Sequence, residues 1–292
     1  MEQKGLSIIV PVYNERKVIE KTVFQLAQIK KDIDFDMEII LIDDGSNDGT
    51  EDILNKLTQE DFQVINHPRN LGYGAALKTG IRAAKYAYIA ITDADKTYPN
   101  ERIPEFFHEV LEKDLDMLVG ARTGDNVKIS LIRKPAKWIL NKIANYLAHV
   151  KIPDINSGFR VMKKEVVESF LNLLPGGFSF TITITLAMEI NGYSVKYEPI
   201  DYFGREGKSK IKPIEDTLNF IQLIIRTVLC FNPLRIFIPL SLSLVLLAFL
   251  VLLGSRLILN KIMDVTFGVI LMTAVFTITI GMLADLIDKR IK

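Results

Sequence analysis

Two aspartates separated by one residue, Asp93 and Asp95, come directly after an apolar segment, Tyr86–Thr92, that is typical of a buried strand. In open α/β sheets, ligands bind beyond the carboxyl ends of the strands. Two carboxylates at such a position suit Mg²⁺ or Mn²⁺, which prefer oxygen ligands and are commonly bound together with substrate phosphates. Taken alone, the pair is also compatible with an acidic surface turn, so the interpretation depends on its neighbours.

Polar clusters follow two other predicted strands. Leu6–Val12 is followed closely by Glu15, and Met37–Asp43 is followed by a segment containing Asp44 and Asp48. Individually these residues suit tight turns and helix caps. Three acidic clusters at the ends of three strands of one parallel sheet would instead converge on a single crevice, and their joint occurrence favours that interpretation.

The elements that must position these residues alternate between strands and helices over residues 1–125. This pattern predicts a Rossmann-like α/β domain with a mainly parallel sheet covered on both faces. One later segment, Phe180–Leu186, alternates Thr with apolar residues and is predicted to be a strand. The other predicted strands are Phe62–Asn66 and Met117–Gly120, and the predicted helices are Glu15–Lys30, Asp48–Leu57, Gly74–Ala84 and Glu101–Glu112.

Two uncharged segments near the end of the chain, 236–254 and 265–284, have the length that a bilayer core requires. Neither has the polar face expected of a helix on a soluble domain. The short connection between them predicts an antiparallel transmembrane hairpin. Basic residues flank both outer ends, so the positive-inside rule predicts that both ends are cytoplasmic. The outer basic residues are Arg226, Arg235, Lys289, Arg290 and Lys292.

Two further segments are predicted to lie at the membrane surface. Residues 136–150 and 219–231 mix apolar and basic residues as interfacial helices do. For 136–150, an amphipathic helix on the soluble domain is an open alternative. The predicted organisation is therefore a catalytic domain over 1–212, a juxtamembrane interfacial helix over 213–232 and a transmembrane hairpin over 233–292.

Composition excludes several classes of function. The 292 residues include 36 basic and 35 acidic side chains, so the net charge of +1 gives no indication of nucleic-acid binding. The single cysteine, Cys230, cannot form an intrachain disulfide or a cysteine zinc cage. The first residues lead into a strand without the pattern of a signal peptide, and the catalytic domain is expected on the cytoplasmic side.

Over residues 6–212 the sequence resembles the family 2 glycosyltransferases with the GT-A fold. Within them it is similar to the polyprenyl-phosphate sugar synthases, such as dolichol-phosphate mannose synthase. The resemblance is carried by the polar clusters described above, by Arg122 after the next strand, and by Asp154–Arg160, which contains Ser-Gly-Phe-Arg. It also includes Arg205–Lys210, which resembles the family loop that has Arg followed by Gly-X-Ser-Lys and closes over the diphosphate.

The resemblance implies a role for each matching residue. Asp93 and Asp95 would hold the metal and the donor diphosphate, with Thr97 as a further candidate ligand. Arg122 and Arg133 would bind the acceptor phosphate, whereas Arg205 and Lys210 would act in catalysis by stabilising the departing diphosphate. The residues implied to bind the nucleotide-sugar are Pro11, Tyr13, Glu15, Asp44, Asp93 and Ala94.

Two departures from the pattern of the family bear on function. Many members have Gln two residues after the second Asp, where this chain has Thr97. A hydroxyl is a weaker ligand, so the second protein ligand of the metal is open. The chain also lacks the Gln-X-X-Arg-Trp motif of processive synthases; its one tryptophan, Trp138, has another context. Polymer synthesis is therefore disfavoured.

The implied activity is inverting, metal-dependent sugar transfer from a UDP- or GDP-linked donor to dolichyl or undecaprenyl phosphate. The protein is expected in the cell or endoplasmic reticulum membrane as a homo-oligomer, such as a tetramer. Two alternatives remain open. Transfer to a lipid hydroxyl, such as that of diacylglycerol, would require a general base. An inactive relative would only bind a glycolipid. A nucleotidyltransferase is disfavoured because no Gly-rich phosphate loop follows the first strand.

Overall fold

The computed structural model describes residues 5–57, 62–124, 151–177, 179–204, 231–258 and 263–291, together with 142, 145–146, 222 and 225–229. The chain divides into two compact units, Met1–Leu223 and Ile224–Lys292.

The first unit is an α/β domain built on a seven-stranded sheet with the order β3-β2-β1-β4-β6-β5-β7. Every neighbouring pair is parallel except for β6, which is antiparallel to both β4 and β5. The strands are β1 (Gly5–Val12), β2 (Asp36–Asp43), β3 (Phe62–Asn66), β4 (Tyr88–Ile91), β5 (Met117–Ala121), β6 (Arg160–Lys163) and β7 (Val195–Pro199). The helices are α1 (Ile19–Lys31), α2 (Thr50–Leu57), α3 (Tyr73–Ala83), a 3₁₀ turn (Asn100–Arg102), α4 (Ile103–Glu112), α5 (Lys164–Phe170) and α6 (Phe180–Ile190).

The central strands are apolar without alternation because helices cover both of their faces. Ile8 and Val10 of β1 belong to the core cluster that also includes side chains of α1 and α4. On the other face, α3 approaches closely at Gly80, where an added Cβ would lie 2.5 Å from Ile9 Cγ2. Burial of both faces stabilises the centre of the sheet, so polar side chains that could bind a ligand are expected at the ends of its strands.

The elements predicted for the first 125 residues are confirmed in type, with small changes at their ends. The first helix begins at Ile19 rather than Glu15, and the strand before the Asp93 pair is limited to Tyr88–Ile91. The mainly parallel sheet is confirmed. No local pattern indicates β6, whose antiparallel insertion between β4 and β5 depends on long-range pairing.

The prediction of a strand over Phe180–Leu186 is wrong, because this segment lies within the helix α6. Thr and apolar side chains are buried alike along the first nine residues of this helix, so the alternation does not separate two faces. Two threonine hydroxyls donate to carbonyls one turn earlier, Thr183 to Ser179 at 3.0 Å and Thr185 to Thr181 at 2.8 Å, whereas the Thr181 hydroxyl donates to Asn156 Oδ1 at 2.6 Å. The period-2 signal was therefore coincidental.

The second unit contains two long apolar helices, α7 (Leu234–Ile258) and α8 (Asp264–Ile291), each long enough to cross a membrane. They pack antiparallel. Ser241 Oγ donates to the Ala274 carbonyl at 2.9 Å, and Phe249 contacts Phe267 at a ring-centroid distance of 5.6 Å. These contacts confirm the predicted hairpin of two apolar helices.

Candidate active site

The acidic clusters predicted after β1, β2 and β4 lie at one edge of the sheet. Strands β1, β2, β4 and β5 run in the same direction, so their carboxyl ends share an edge. Strand β6 runs oppositely, and the loop that precedes it, residues 154–159, begins at this same edge. Convergence of the loops after β1, β2, β4 and β5 is therefore a direct consequence of the topology.

The loops that follow β1 and β2 are joined by hydrogen bonds. The amide of Asn14 donates to Ser46 Oγ at 2.9 Å, and the amide of Asn47 donates to Asn14 Oδ1 at 2.9 Å. The amide of Glu15 donates to Thr50 Oγ1 at 3.1 Å. Asn14 has a φ of 57°, a left-handed conformation that asparagine tolerates better than most residues. The two loops thus form one rigid wall of the crevice, with Tyr13 between β1 and Asn14.

The carboxylate of Asp44 organises the loop that leads from β3 into α3. Asp44 Oδ1 lies 2.8 Å from Nδ1 of His67 and accepts from the amide of Leu71 at 2.9 Å, and Oδ2 accepts from the amide of Gly72 at 2.8 Å. His67 also contacts Thr79 Oγ1 at 2.9 Å through Nε2. Asp44 therefore has a clear positioning role, and its assignment to the nucleoside stays a prediction.

The two aspartates after β4 are each held by a hydroxyl group. Tyr73, the first residue of α3, donates its hydroxyl to Asp93 Oδ1 at 3.1 Å. Burial, reinforced by the negative charge of Asp93, raises the pKa of Tyr73 well above its usual value, so this hydroxyl remains a donor. Asp95 Oδ1 accepts from the hydroxyl of Thr97 at 2.6 Å and from the Thr97 amide at 3.2 Å. Both carboxylates are thus fixed in orientation.

The donor set at this position fits a divalent cation that also binds substrate. Asp93 and Asp95 provide carboxylate oxygens, and Thr97 orients Asp95 through its hydroxyl. Across the described ranges, no group of three or more His, Cys, Asp or Glu side chains is arranged as a complete metal cage. One or two carboxylates, with water and phosphate oxygens completing the shell, is the usual binding mode of Mg²⁺.

The loop 154–159 touches both sides of the crevice. A Cβ at Gly158 would lie 3.2 and 3.3 Å from the two carboxylate oxygens of Asp93, so a larger residue would displace this carboxylate by a few tenths of an ångström. The amide of Gly158 donates to the hydroxyl of Tyr98 at 2.8 Å, and Ser157 Oγ donates to the Gly120 carbonyl at 2.6 Å. This loop therefore supports the carboxylate at the end of β4 and is fastened to β5.

Arg122, the first residue after β5, forms a bidentate ion pair with Asp154. Nε lies 2.7 Å from Oδ2 and Nη2 lies 3.0 Å from Oδ1. Burial disfavours the charged guanidinium, but the Asp154 carboxylate outweighs this effect and raises the pKa of Arg122 well above its ordinary value. The guanidinium also lies over the ring of Tyr202, 5.2 Å from its centroid. Arg122 therefore remains cationic within the crevice.

Arg160, the last residue of the Ser-Gly-Phe-Arg motif, lies beneath the site and is 1% exposed. It donates to the Ser157 carbonyl and, at 3.1 Å, to Thr185 Oγ1 of α6. Burial lowers the pKa of Arg160. Its role in the structure is to fasten the loop 154–159 to α6.

The remaining predicted site residues are placed as follows. Pro11 lies on β1 opposite Ile42, and Ala94 is buried with its carbonyl accepting from the Thr22 hydroxyl at 2.8 Å. Arg133, Arg205 and Lys210 lie outside the described residues, as does most of the predicted interfacial helix 136–150. Sequence reasoning missed His67, Tyr73 and the partnership of Asp154 with Arg122, because no local pattern marks contacts between such distant residues.

The family model described as glycosyl transferase family 2 matches residues 7–171, more than half of the chain. The chain therefore belongs to glycosyl transferase family 2, as the sequence motifs predicted.

Curated relatives include the bactoprenol glucosyl transferase of Shigella phage SfV and the SfII prophage-derived bactoprenol glucosyl transferase of Shigella flexneri. Each is 35% identical over 175 residues, which cover 58% of this chain and 55% of the relative. The matched region thus spans about half the length of the curated relatives.

Solved structures with a similar fold include glucosyl-3-phosphoglycerate synthase from Mycobacterium tuberculosis, in complex with Mn²⁺, UDP and phosphoglyceric acid. Its TM-score is 0.57 at 18% identity, with 78% of each chain covered. Residues 1–349 of TarS from S. aureus give a TM-score of 0.55 at 18% identity, covering 77% of this chain and 65% of that one. These likenesses confirm the GT-A fold.

Proposed function

We propose that this protein transfers a sugar from a nucleotide-sugar to a polyprenyl phosphate at a membrane surface, by a metal-dependent and inverting reaction. The observation that carries the proposal is the shared edge of the sheet, where the Asp93 and Asp95 carboxylates and the Arg122 cation lie at the ends of two strands separated only by β6. The curated relatives are named for glucosyl transfer to bactoprenol, which is consistent with this acceptor.

Charge management is the main requirement of this reaction. A phosphate oxygen of the acceptor attacks C1 of the sugar, the bond from C1 to the diphosphate oxygen breaks, and the nucleoside diphosphate departs with that electron pair. The acceptor is already an anion and needs no general base, unlike a lipid hydroxyl. A divalent cation bound by Asp93 and Asp95 would supply Lewis-acid neutralisation of the leaving diphosphate.

Different residues of this chain would bind the nucleoside, the acceptor phosphate and the departing diphosphate. The wall formed by the loops after β1 and β2 would hold the nucleoside, with Pro11, Tyr13, Glu15 and Asp44 at its base. Arg122 and Arg133 would bind the acceptor phosphate, for which a guanidinium provides paired donors. The residues proposed to stabilise charge on the departing diphosphate are Arg205 and Lys210.

The two apolar helices would keep the enzyme beside an acceptor whose tail lies in the bilayer. The basic residues outside both helices favour a topology with the catalytic domain and both ends of the hairpin in the cytoplasm. Helix packing between hairpins would favour a homo-oligomer.

A transfer assay with purified full-length protein tests the proposal. Dolichyl and undecaprenyl phosphate are offered with a panel of UDP- and GDP-sugars and with Mg²⁺ or Mn²⁺. We expect a glycosyl lipid phosphate whose anomeric configuration, read by NMR, is opposite to that of the donor. A product with retained configuration, or full activity in excess EDTA, would contradict the proposed mechanism.

A further inference from the structure

The ion pair between Arg122 and Asp154 uses a defined part of the guanidinium. The side-chain nitrogens Nε and Nη2 face the carboxylate, at 2.7 and 3.0 Å. The backbone amide of Arg122 also donates to Asp154 Oδ2, at 3.1 Å. A guanidinium has five N–H donors in a fixed plane, and this fork uses two of them. Of the other three, one on Nη1 and one on Nη2 form a second pair of donors that points away from the Asp154 carboxylate.

Asp154 is itself held firmly. Its side chain is 1% exposed, whereas that of Arg122 is 18% exposed. The amide of Asn156 donates to Asp154 Oδ1 at 3.3 Å, and Asn156 Oδ1 accepts from the Thr181 hydroxyl at 2.6 Å. The carboxylate thus belongs to a network that joins the loop 154–159 to α6. Arg122 lies at the exposed end of this network, with Tyr202 under one face of its guanidinium.

Charge and orientation have opposite effects at this pair. The negative charge of Asp154 reduces the net attraction between Arg122 and an anion. Orientation acts in the other direction, because a guanidinium with one edge fixed presents its outer edge without losing further side-chain freedom. If the charge effect dominates, removing the Asp154 charge should lower the acceptor KM; if orientation dominates, it should raise the acceptor KM.

We propose that Asp154 is a positioning residue for acceptor binding: it fixes the inner edge of Arg122 so that the outer edge presents paired donors to the lipid phosphate. This inference rests on the proposed function, since it concerns the acceptor subsite of the same crevice. Asp154 makes no contact with substrate in this account and acts only through Arg122.

Asp154→Asn tests the proposal because it keeps the size of the side chain and removes its charge. The amide offers one acceptor oxygen in place of two, so the fork cannot form. We expect the KM for polyprenyl phosphate to rise roughly ten- to a hundredfold, the scale of a charge-assisted hydrogen bond. The dissociation constant of the nucleotide, measured by calorimetry, should stay within about twofold. An unchanged or lower acceptor KM would overturn the proposal.

A double mutant separates positioning from general damage. In an Arg122→Ala background, Asp154→Asn should cause no further increase in acceptor KM, because the residue through which it acts is gone. A further increase similar to that in the wild-type background would contradict the proposal. Asp154→Glu keeps the negative charge one methylene further out, so it should recover part of the affinity for the acceptor. If the Asp154→Asn protein does not fold, Asp154→Glu becomes the test. An acceptor KM for Asp154→Glu equal to that of the wild type would then refute the proposal.

Asp116→Asn is the matched control. Asp116 lies just before β5, at the opposite end from Arg122, and pairs with Lys163 at 3.0 Å. The Asp116→Asn variant loses the same charge as Asp154→Asn, but outside the crevice, so its acceptor KM should equal that of the wild type. A rise in KM matching that of Asp154→Asn would overturn the proposal. Wild-type protein that transfers no sugar to any polyprenyl phosphate would refute the proposed function itself, and this inference with it.

Discussion

Gly158→Ala places a methyl group between three polar atoms of the crevice. The added Cβ would lie 3.0 Å from the Tyr73 hydroxyl and 3.2 and 3.3 Å from the two oxygens of Asp93. Ordinary van der Waals contact for such a carbon begins at 3.4 Å, so the carboxylate and the hydroxyl must each retreat by a few tenths of an ångström.

The magnitude follows from this displacement. A misplacement of about 1 Å in an active site can reduce the rate by about 10²-fold. A shift of about a third of that distance corresponds to a loss of about fivefold, and a weakened hydrogen bond between Tyr73 and Asp93 adds about 1 kcal/mol, a further factor of about five. We expect kcat/KM to fall by roughly 10- to 30-fold, with stability reduced by about 1–3 kcal/mol through overpacking.

The assay measures initial transfer rates at saturating acceptor while the nucleotide-sugar and the divalent cation are varied. The apparent affinity for the cation should fall along with the rate, because Asp93 is displaced directly. Gly177→Ala is the control, since nothing lies within 4 Å of its Cβ position. A Gly158→Ala protein that keeps normal turnover and normal cation dependence would refute the placement of Asp93 at the reacting diphosphate.

Three further predictions concern single residues. Asp95→Asn should reduce transfer by about two orders of magnitude or more, because it removes a charged oxygen from the proposed cation site; the measurement is turnover with and without EDTA, and near-normal turnover would exclude the site. Asp44→Ala should lower the free energy of unfolding by about 1–3 kcal/mol, because the donors of His67, Leu71 and Gly72 lose their acceptor. Denaturant titration measures this change, and an unchanged unfolding midpoint would show that the Asp44 hydrogen bonds do not stabilise the fold. Arg133→Ala should raise the acceptor KM with little change in nucleotide affinity, and Arg133→Lys should rescue only partly because the paired donors are lost. Loss of nucleotide affinity with an unchanged acceptor KM would instead reverse the assignment of the two subsites.

The parts of the fold that depend on local pattern were predictable from the sequence. The apolar runs of β1 and β2 and the polar residues after them identify strands and strand ends, and parallel topology then requires these ends to meet. The two apolar helices were equally clear, because length and lack of charge suffice to identify them.

The parts that depend on burial and distant pairing were not predictable. The segment that became α6 is buried on all sides, so its period carried no information about faces. Arg122 and Asp154 are 32 residues apart and meet only because β6 inserts between β4 and β5. The positioning contacts of Asp44 and Asp93 likewise join different loops, and His67 and Tyr73 stand in segments with no motif of their own.

A competition between two lipid acceptors in the same bilayer tests most directly whether the acceptor is a lipid phosphate. Full-length protein in vesicles that contain both undecaprenyl phosphate and diacylglycerol receives a labelled nucleotide-sugar, and the lipid products are separated and counted. We expect label to accumulate on the lipid phosphate, diacylglycerol to stay unlabelled, and transfer to stop in EDTA. Label on diacylglycerol with none on the lipid phosphate would contradict this expectation.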